Sequence, residues 1–186
     1  MMKFRSALLA AVLAVGAPAL TTACTSLPDE VDRAEIDASS RAALNKLVSE
    51  NAAARAINNQ SRAVLVFPSM VKAGLGLGGA YGEGELIRNG ATVDYYNSMT
   101  GSWGLQAGAQ SYGYAVFLMN DDAVDYLSES DGWEIGVGPT VVLVNAGMAE
   151  NLSTSTLKED AYAFVFDQKG LMAGVSIEGT KITKMD

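Results

Sequence analysis

VLVFPSMVKAGLGLGGAYGEGEL, Val64 to Leu86, is the stretch whose reading decides the fold. It opens on a short apolar run, Ala63 to Phe67, and passes after Pro68 into an alternating, glycine-rich segment over residues 73–87. A short run rich in Val and Phe reads as strand, and Pro68 is expected to end it because proline brings no N–H to a ladder. Gly74, Gly76 and Gly79 satisfy the G-x-G-x-x-G spacing of dinucleotide sites. That fingerprint needs a helix opening on the glycines, whereas Gly82-Glu83-Gly84-Glu85 follows here. The segment is therefore read as a bent strand, since bends, bulges and close backbone approach are the usual reasons for glycine inside a strand.

Working outward, Asn89-Gly90 is a two-residue hairpin signal between Glu85–Ile87 and Thr92–Tyr96. Strands are predicted over 103–109 and 112–119, and a short helix from Asp121 to Ser128. Asn120 or Asp121 would cap that helix, with Ala123, Val124 and Leu127 inward. Trp133 to Val144 reads as strand again. Ala161 to Phe166, a Gln168-Lys169-Gly170 turn and Leu171 to Ile177 read as a second hairpin. Upstream, Asp29 to Ile57 is Ala-rich without Gly or Pro, and Leu44, Leu47, Val48 and Ile57 fall near helical spacing. One or two amphipathic helices are expected there, stopping at Asn58-Asn59. The expected fold is α+β: N-terminal helices packed on a curved, mostly antiparallel, Gly-rich sheet or barrel, forming a single domain over residues 29–186.

The first residues have a different texture. Lys3 and Arg5 precede an apolar run from Ala7 to Val15 and a small-residue stretch from Gly16 to Ala23, the three parts of an export signal. The run is shorter than the roughly 20 residues a membrane-spanning helix needs. Cys24, the only cysteine, follows Leu20-Thr21-Thr22-Ala23. This resembles the bacterial lipobox, with Leu one place early and Thr21 in its slot. The expectation is a signal peptide over 1–23, a lipidated (palmitate-type) Cys24 and a tether over 24–28. The alternative is ordinary cleavage, for instance after Ala17-Pro18-Ala19, leaving a free thiol. By the same resemblance, Thr25 rather than Asp after the cysteine favours an outer-membrane anchor facing the periplasm.

Charge and composition narrow the function classes. The chain has 13 basic and 21 acidic residues, and an acidic domain repels phosphates, so nucleic acid is set aside as a partner. With no His and one Cys, a Cys/His zinc site, an intrachain disulfide and an imidazole-based triad are all excluded. An all-carboxylate cation site is left open by composition, but Asp29-Glu30-Asp32 and Asp121-Asp122-Asp125 read as helix-start charges, so no metal and no cofactor are expected. Glu83 and Glu85, two apart on one strand face, read as surface carboxylates rather than a catalytic pair. Ala109-Gln110-Ser111-Tyr112-Gly113 approaches a nucleophile elbow without its first glycine, and Ser111 has no imidazole base. No catalytic residue is expected. One asymmetry remains: residues 38–72 hold Arg41, Lys46, Arg55, Arg62 and Lys72 against Glu50 alone, whereas residues 73–186 hold five basic and fifteen acidic groups. Such a basic helical segment meets anionic headgroups or an acidic partner, or else pairs with the domain's own acids.

Val64 to Leu86, together with Trp103-Gly104-Leu105-Gln106-Ala107-Gly108-Ala109-Gln110, Asp131-Gly132-Trp133-Glu134, Ala163-Phe164-Val165-Phe166 and KGLMAGVSIEGTKI (Lys169 to Ile182), resembles the SYLF domain family. The resemblance runs over residues 40–184. Its eukaryotic members bind phosphoinositides and in some cases actin; its bacterial members are exported or lipid-anchored stand-alone domains. The resemblance implies lipid binding, with Arg41, Lys46, Arg55, Arg62 and Lys72 as the tentative headgroup contacts and Leu44, Leu47 and Val48 as residues that would insert if their face is free. The expected function is a lipid-anchored, non-enzymatic lipid- or membrane-surface-binding domain of the bacterial envelope. The alternative is an envelope protein–protein interaction or structural module. Actin is not an expected partner for an exported chain.

Overall fold

Three strands of 26, 28 and 24 residues carry the molecule: β1 (Ala63–Arg88), β2 (Ala91–Leu118) and β5 (Ala161–Lys184). β2 lies in the centre and pairs antiparallel with both neighbours. Two short strands flank β5: β3 (Trp133–Glu134) runs antiparallel to its far end, and β4 (Val141–Leu143) parallel to its start. With α1 (Arg33–Glu50), α2 (Ala52–Asn58) and α3 (Asp121–Glu129), this is the α+β arrangement expected, its sheet curled into a half-barrel. The computed structural model describes residues 33–129, 132–135, 137–144 and 157–185, with backbone only at 175–177. The leader, Cys24 and the tether lie outside the described residues.

Local chemistry sets several boundaries as read. Asn89 (φ 53°) and Gly90 (φ 77°) both take positive φ, which a two-residue hairpin turn matched to strand twist requires. Asn51 separates α1 from α2: its backbone is extended and its side chain accepts from the Ala54 N–H at 3.0 Å. Helix α2 stops at Asn58-Asn59, as expected. Asn120 caps α3, accepting from the Ala123 N–H at 2.8 Å, and Ala123, Val124 and Leu127 are buried.

Other boundaries differ. Pro68 does not end its strand: β1 passes through it, because Pro68 and Ser69 bulge opposite the single residue Gly113, where no ladder N–H is needed. The turn expected at Gln168-Lys169-Gly170 is likewise a bulge. Asp167 (φ 51°) and Gln168 stand opposite Tyr112 alone, and β5 runs on to Lys184. The strands expected over 103–109 and 112–119 are one strand, and the described residues from Trp133 to Val144 form two short strand pieces rather than one strand. Bulges on both sides of β2 at the same level bend the whole sheet.

The ends of the long strands are packed on both faces. Leu65, Phe67, Val116, Leu118 and Ala163 face Val124, Leu127 and Trp133 in one core. The alternate residues Val66, Ala115, Phe117 and Phe164 face Leu47, Ala54 and Ile57 of α1 and α2 in a second. Burial on both faces explains why these segments are continuous apolar runs rather than alternating ones. The far half of β1 curls back onto the near half, so that a Cβ at Gly84 would strike the Val66 carbonyl.

Candidate membrane-facing surface

Midway along each long strand the packing rule inverts. Lys72 on β1 and Ser98, Thr100, Ser102 and Gln106 on β2 point inward and are buried. Their neighbours point outward and are apolar: Leu75 (84 % exposed), Leu77 (71 %), Trp103 (70 %), Leu105 (88 %) and Leu171 (88 %). The ladder stacks them, with Leu77 beside Trp103 and Leu75 beside Ala107, while Leu171 pairs with Ala109. Several of the inward polar groups satisfy each other: Gln106 donates to the Ser102 hydroxyl at 2.8 Å, and the Thr100 and Thr180 hydroxyls lie 2.8 Å apart. Two glycines make the bend. Gly76 takes φ 74° at the crest of β1, and Gly108 takes φ 137°, where a Cβ would meet the Leu171 carbonyl.

The five basic residues singled out in the sequence are found at separate places with separate partners. Arg41 donates to the Gly90 carbonyl at 2.8 Å and the Thr92 hydroxyl at 2.9 Å, with Nε 3.9 Å from Glu85. Lys46 bonds Asp167 at 2.6 Å, which raises its pKa. Arg62 lies 3.9 Å from Asp121, which also accepts from Arg88 at 2.7 Å. Lys72 is buried and forms an ion pair with Glu178. Arg55 is exposed on α2, its side chain with no hydrogen bond or ion pair to a described residue. Four of the five thus pair with the domain's own acids. Leu47 is buried in the second core, Leu44 packs against that core and Val48 is half-buried, so the apolar stripe of α1 faces the sheet rather than solvent.

Of the remaining motifs, Ser111 sits in the β2 ladder between Val71 and Lys169. Glu83 is a surface carboxylate that accepts from Tyr81 at 2.6 Å. Glu85, expected at the surface, is fully buried. Burial pushes its carboxyl above the usual range, the Thr92 hydroxyl bond at 2.6 Å opposes that shift, and neighbouring Asp37 adds to it. Period-2 alternation placed Glu83 and Glu85 on one face, but the curl of β1 and the docking of α1 separated their environments. Among the described residues, no three Asp, Glu or Cys side chains gather to hold a metal ion.

The span 99–186 matches the profile of the Ysc84 family, described as a Las17-binding protein actin regulator. This is a match to the SYLF family, the one that the chain's motifs resemble. No curated protein matches the chain. Trp103, Leu105 and Leu171 of the exposed apolar crest fall within the SYLF span, and Leu75 and Leu77 on β1 precede it. Sequence reading did not single out these side chains. Their signal was present in Gly74-Leu75-Gly76-Leu77-Gly78 and Trp103-Gly104-Leu105: large apolar residues alternating with glycines too small to fill a core beside them.

Proposed function

We propose that the protein is an exported, lipid-anchored, non-enzymatic domain that binds lipid or membrane surfaces of the bacterial envelope through the apolar crest of its sheet. The observation that carries this reading is the inverted sidedness of the strand middles, polar inside and apolar outside. That is how strands are arranged where their outer face meets lipid. A contiguous apolar surface on a water-soluble domain marks an interaction site, and Trp103 at the crest suits the interface between headgroups and chains. The acidic body disfavours a purely electrostatic mode on anionic lipid, which also points to apolar contact. Of the five basic residues Arg41, Lys46, Arg55, Arg62 and Lys72, Arg55 is the one whose side chain has no partner among the described residues to give up. The leader and Cys24 support the anchor and an outer-membrane, periplasm-facing location; an acylated Cys24 in the mass spectrum of the mature N-terminus would check the anchor, and membrane fractionation the location. Lipid binding as a family trait supports the same reading, whereas the actin regulation in the family description has no counterpart expected in the envelope.

The test is vesicle co-sedimentation of the full chain carrying Cys24→Ser, alone and with Leu75→Ser and Trp103→Ser together. Fully burying such a side chain is worth about 1.5–3 kcal/mol, so the pair should cost about a hundredfold or more in partitioning, on neutral and anionic vesicles alike. If the unmutated chain sediments with neither vesicle, the reading fails. A second reading is contact with another envelope protein. Among the described residues β1 is an edge strand, paired on one side only by β2, and such an edge can take an added strand.

A further inference from the structure

The half-barrel has an inside. A cavity of about 340 Å³ opens on the concave face, between the two halves of the bent sheet and beneath the segment carrying Ile135, Val141 and Leu143. That volume is in the range of small-ligand pockets. One wall is apolar, made by Ile135, Val141, Leu143 and Val165. The rest of the lining is rich in hydrogen-bond donors. The Ser98 hydroxyl there is fully buried and has no hydrogen-bond partner. The Tyr112 and Tyr114 phenols line the same cavity, with no hydrogen bond to a described residue. Burial pushes the Tyr114 phenol up to about 12, so it stays a donor at neutral pH. Lys72, in the same lining, is nine-tenths buried, and its counter-ion Glu178 has a side chain 39 % exposed.

We propose that this cavity binds a single-chain anionic amphiphile such as a fatty-acid carboxylate, its head on Lys72 and Ser98 and its chain along the apolar wall. The reasoning is one of charge and sidedness. Lys72 is fixed in the wall by the β1 ladder, whereas Glu178 sits at the mouth and can turn to water. An incoming carboxylate that takes the place of Glu178 keeps the buried ammonium neutralised, so neither charge is left unpaired in the interior. It also meets the Ser98 hydroxyl, buried and without a partner, and an unmade buried bond is costly. A sugar would leave the Val141–Val165 side unmatched, and a cation would oppose Lys72. The ligand class rests on the lipid-binding reading; the site does not, being on the opposite face of the sheet from the crest.

The experiment is calorimetric titration of the full chain carrying Cys24→Ser with laurate below its micelle concentration, with dodecanol and acetate as the head-free and chain-free probes. Saturable one-to-one laurate binding is expected, with weaker dodecanol binding and none for acetate. Lys72→Met should weaken laurate by roughly tenfold or more, the worth of a charge-assisted bond. Glu178→Gln should tighten it, because the internal competitor is gone, and this variant answers the question even if Lys72→Met fails to fold. The proposal is overturned if laurate does not saturate, if acetate or dodecanol matches it, if Lys72→Met leaves it unchanged, or if Glu178→Gln leaves it unchanged or weaker. The crest variant Leu75→Ser with Trp103→Ser should leave laurate binding intact. If the chain with an intact crest sediments with neither vesicle but binds laurate, the membrane-surface reading fails and the cavity stands; if it sediments but laurate does not saturate, the cavity alone fails.

Discussion

The covered ends of the three long strands and their exposed middle are built from the same kinds of residue under opposite rules. At the ends, Leu65, Phe67, Val116 and Phe117 are buried on both faces, because helices lie on one side and α3 with Trp133 on the other. In the middle, Leu75, Leu77, Trp103 and Leu105 face water while Ser98, Ser102 and Gln106 are buried. The difference teaches that apolar side chains on this sheet do two jobs. Those under the helices hold the fold, and those on the crest contribute little to it and are free for contact. Each prediction below sets one region against the other.

The largest contrast is in stability. Phe117→Ala removes a fully buried ring from the second core and should cost about 3–5 kcal/mol of unfolding free energy. Leu105→Ala, at 88 % exposure, should stay within about 0.5 kcal/mol. Urea unfolding of both variants measures the gap, and a comparable loss from Leu105→Ala would show that the crest is covered in solution. Glycines offer a second contrast. Gly84→Ala drives a Cβ into the Val66 carbonyl, backbone that cannot swing away, and should cost at least about 1–3 kcal/mol. Gly101→Ala meets nothing within 4 Å and should be neutral or stabilising by up to about 1 kcal/mol. Thermal midpoints of the two variants check this pair.

A smaller effect concerns the buried carboxyl on the covered side. Because burial raises the Glu85 pKa in the folded state, its contribution is favourable below the unfolded glutamate value and is lost as pH rises through the folded one. Glu85→Gln should therefore be as stable as the parent chain or more so at neutral pH, and lose that advantage as pH falls below the usual glutamate range. Denaturation midpoints of both proteins across that range give the difference directly. The smallest effect belongs to Arg55, exposed on α2. At about 1 kcal/mol per basic group near anionic lipid, Arg55→Gln should weaken binding to anionic vesicles about fivefold and leave neutral vesicles unchanged. A larger loss than that from the crest pair would make charge, not apolar contact, the main term.

How much was legible follows from the range of the interactions. The Asn89-Gly90 hairpin and the Asn120 cap were readable because each is decided within four residues by backbone torsion and one side-chain bond. The α1 and α2 stripe was readable from its period, although whether Leu47 met the sheet or a membrane was not. Pro68 and the Gln168-Lys169-Gly170 stretch were misread as an end and a turn. A bulge and a break share the same local signal, and only the partner strand, here β2 at Tyr112-Gly113, tells them apart. The candidate site was the least legible part, since Leu75 and Leu77 alternate just as a core-facing strand would.

By itself the sequence determined what is chemically local. It has no histidine for imidazole chemistry, an acidic body, turn and cap residues at fixed points, alternation that makes strands, and the motifs of the SYLF family. Only the tertiary structure decided sidedness. Period-2 alternation divides a strand into two faces without saying which is covered, and that depends on where the helices dock and where the sheet bends. Docking over the strand ends, with bulges and glycines bending the middle, turned Leu75, Trp103 and Leu105 outward, buried Glu85, and set Lys72 and Ser98 inside a cavity.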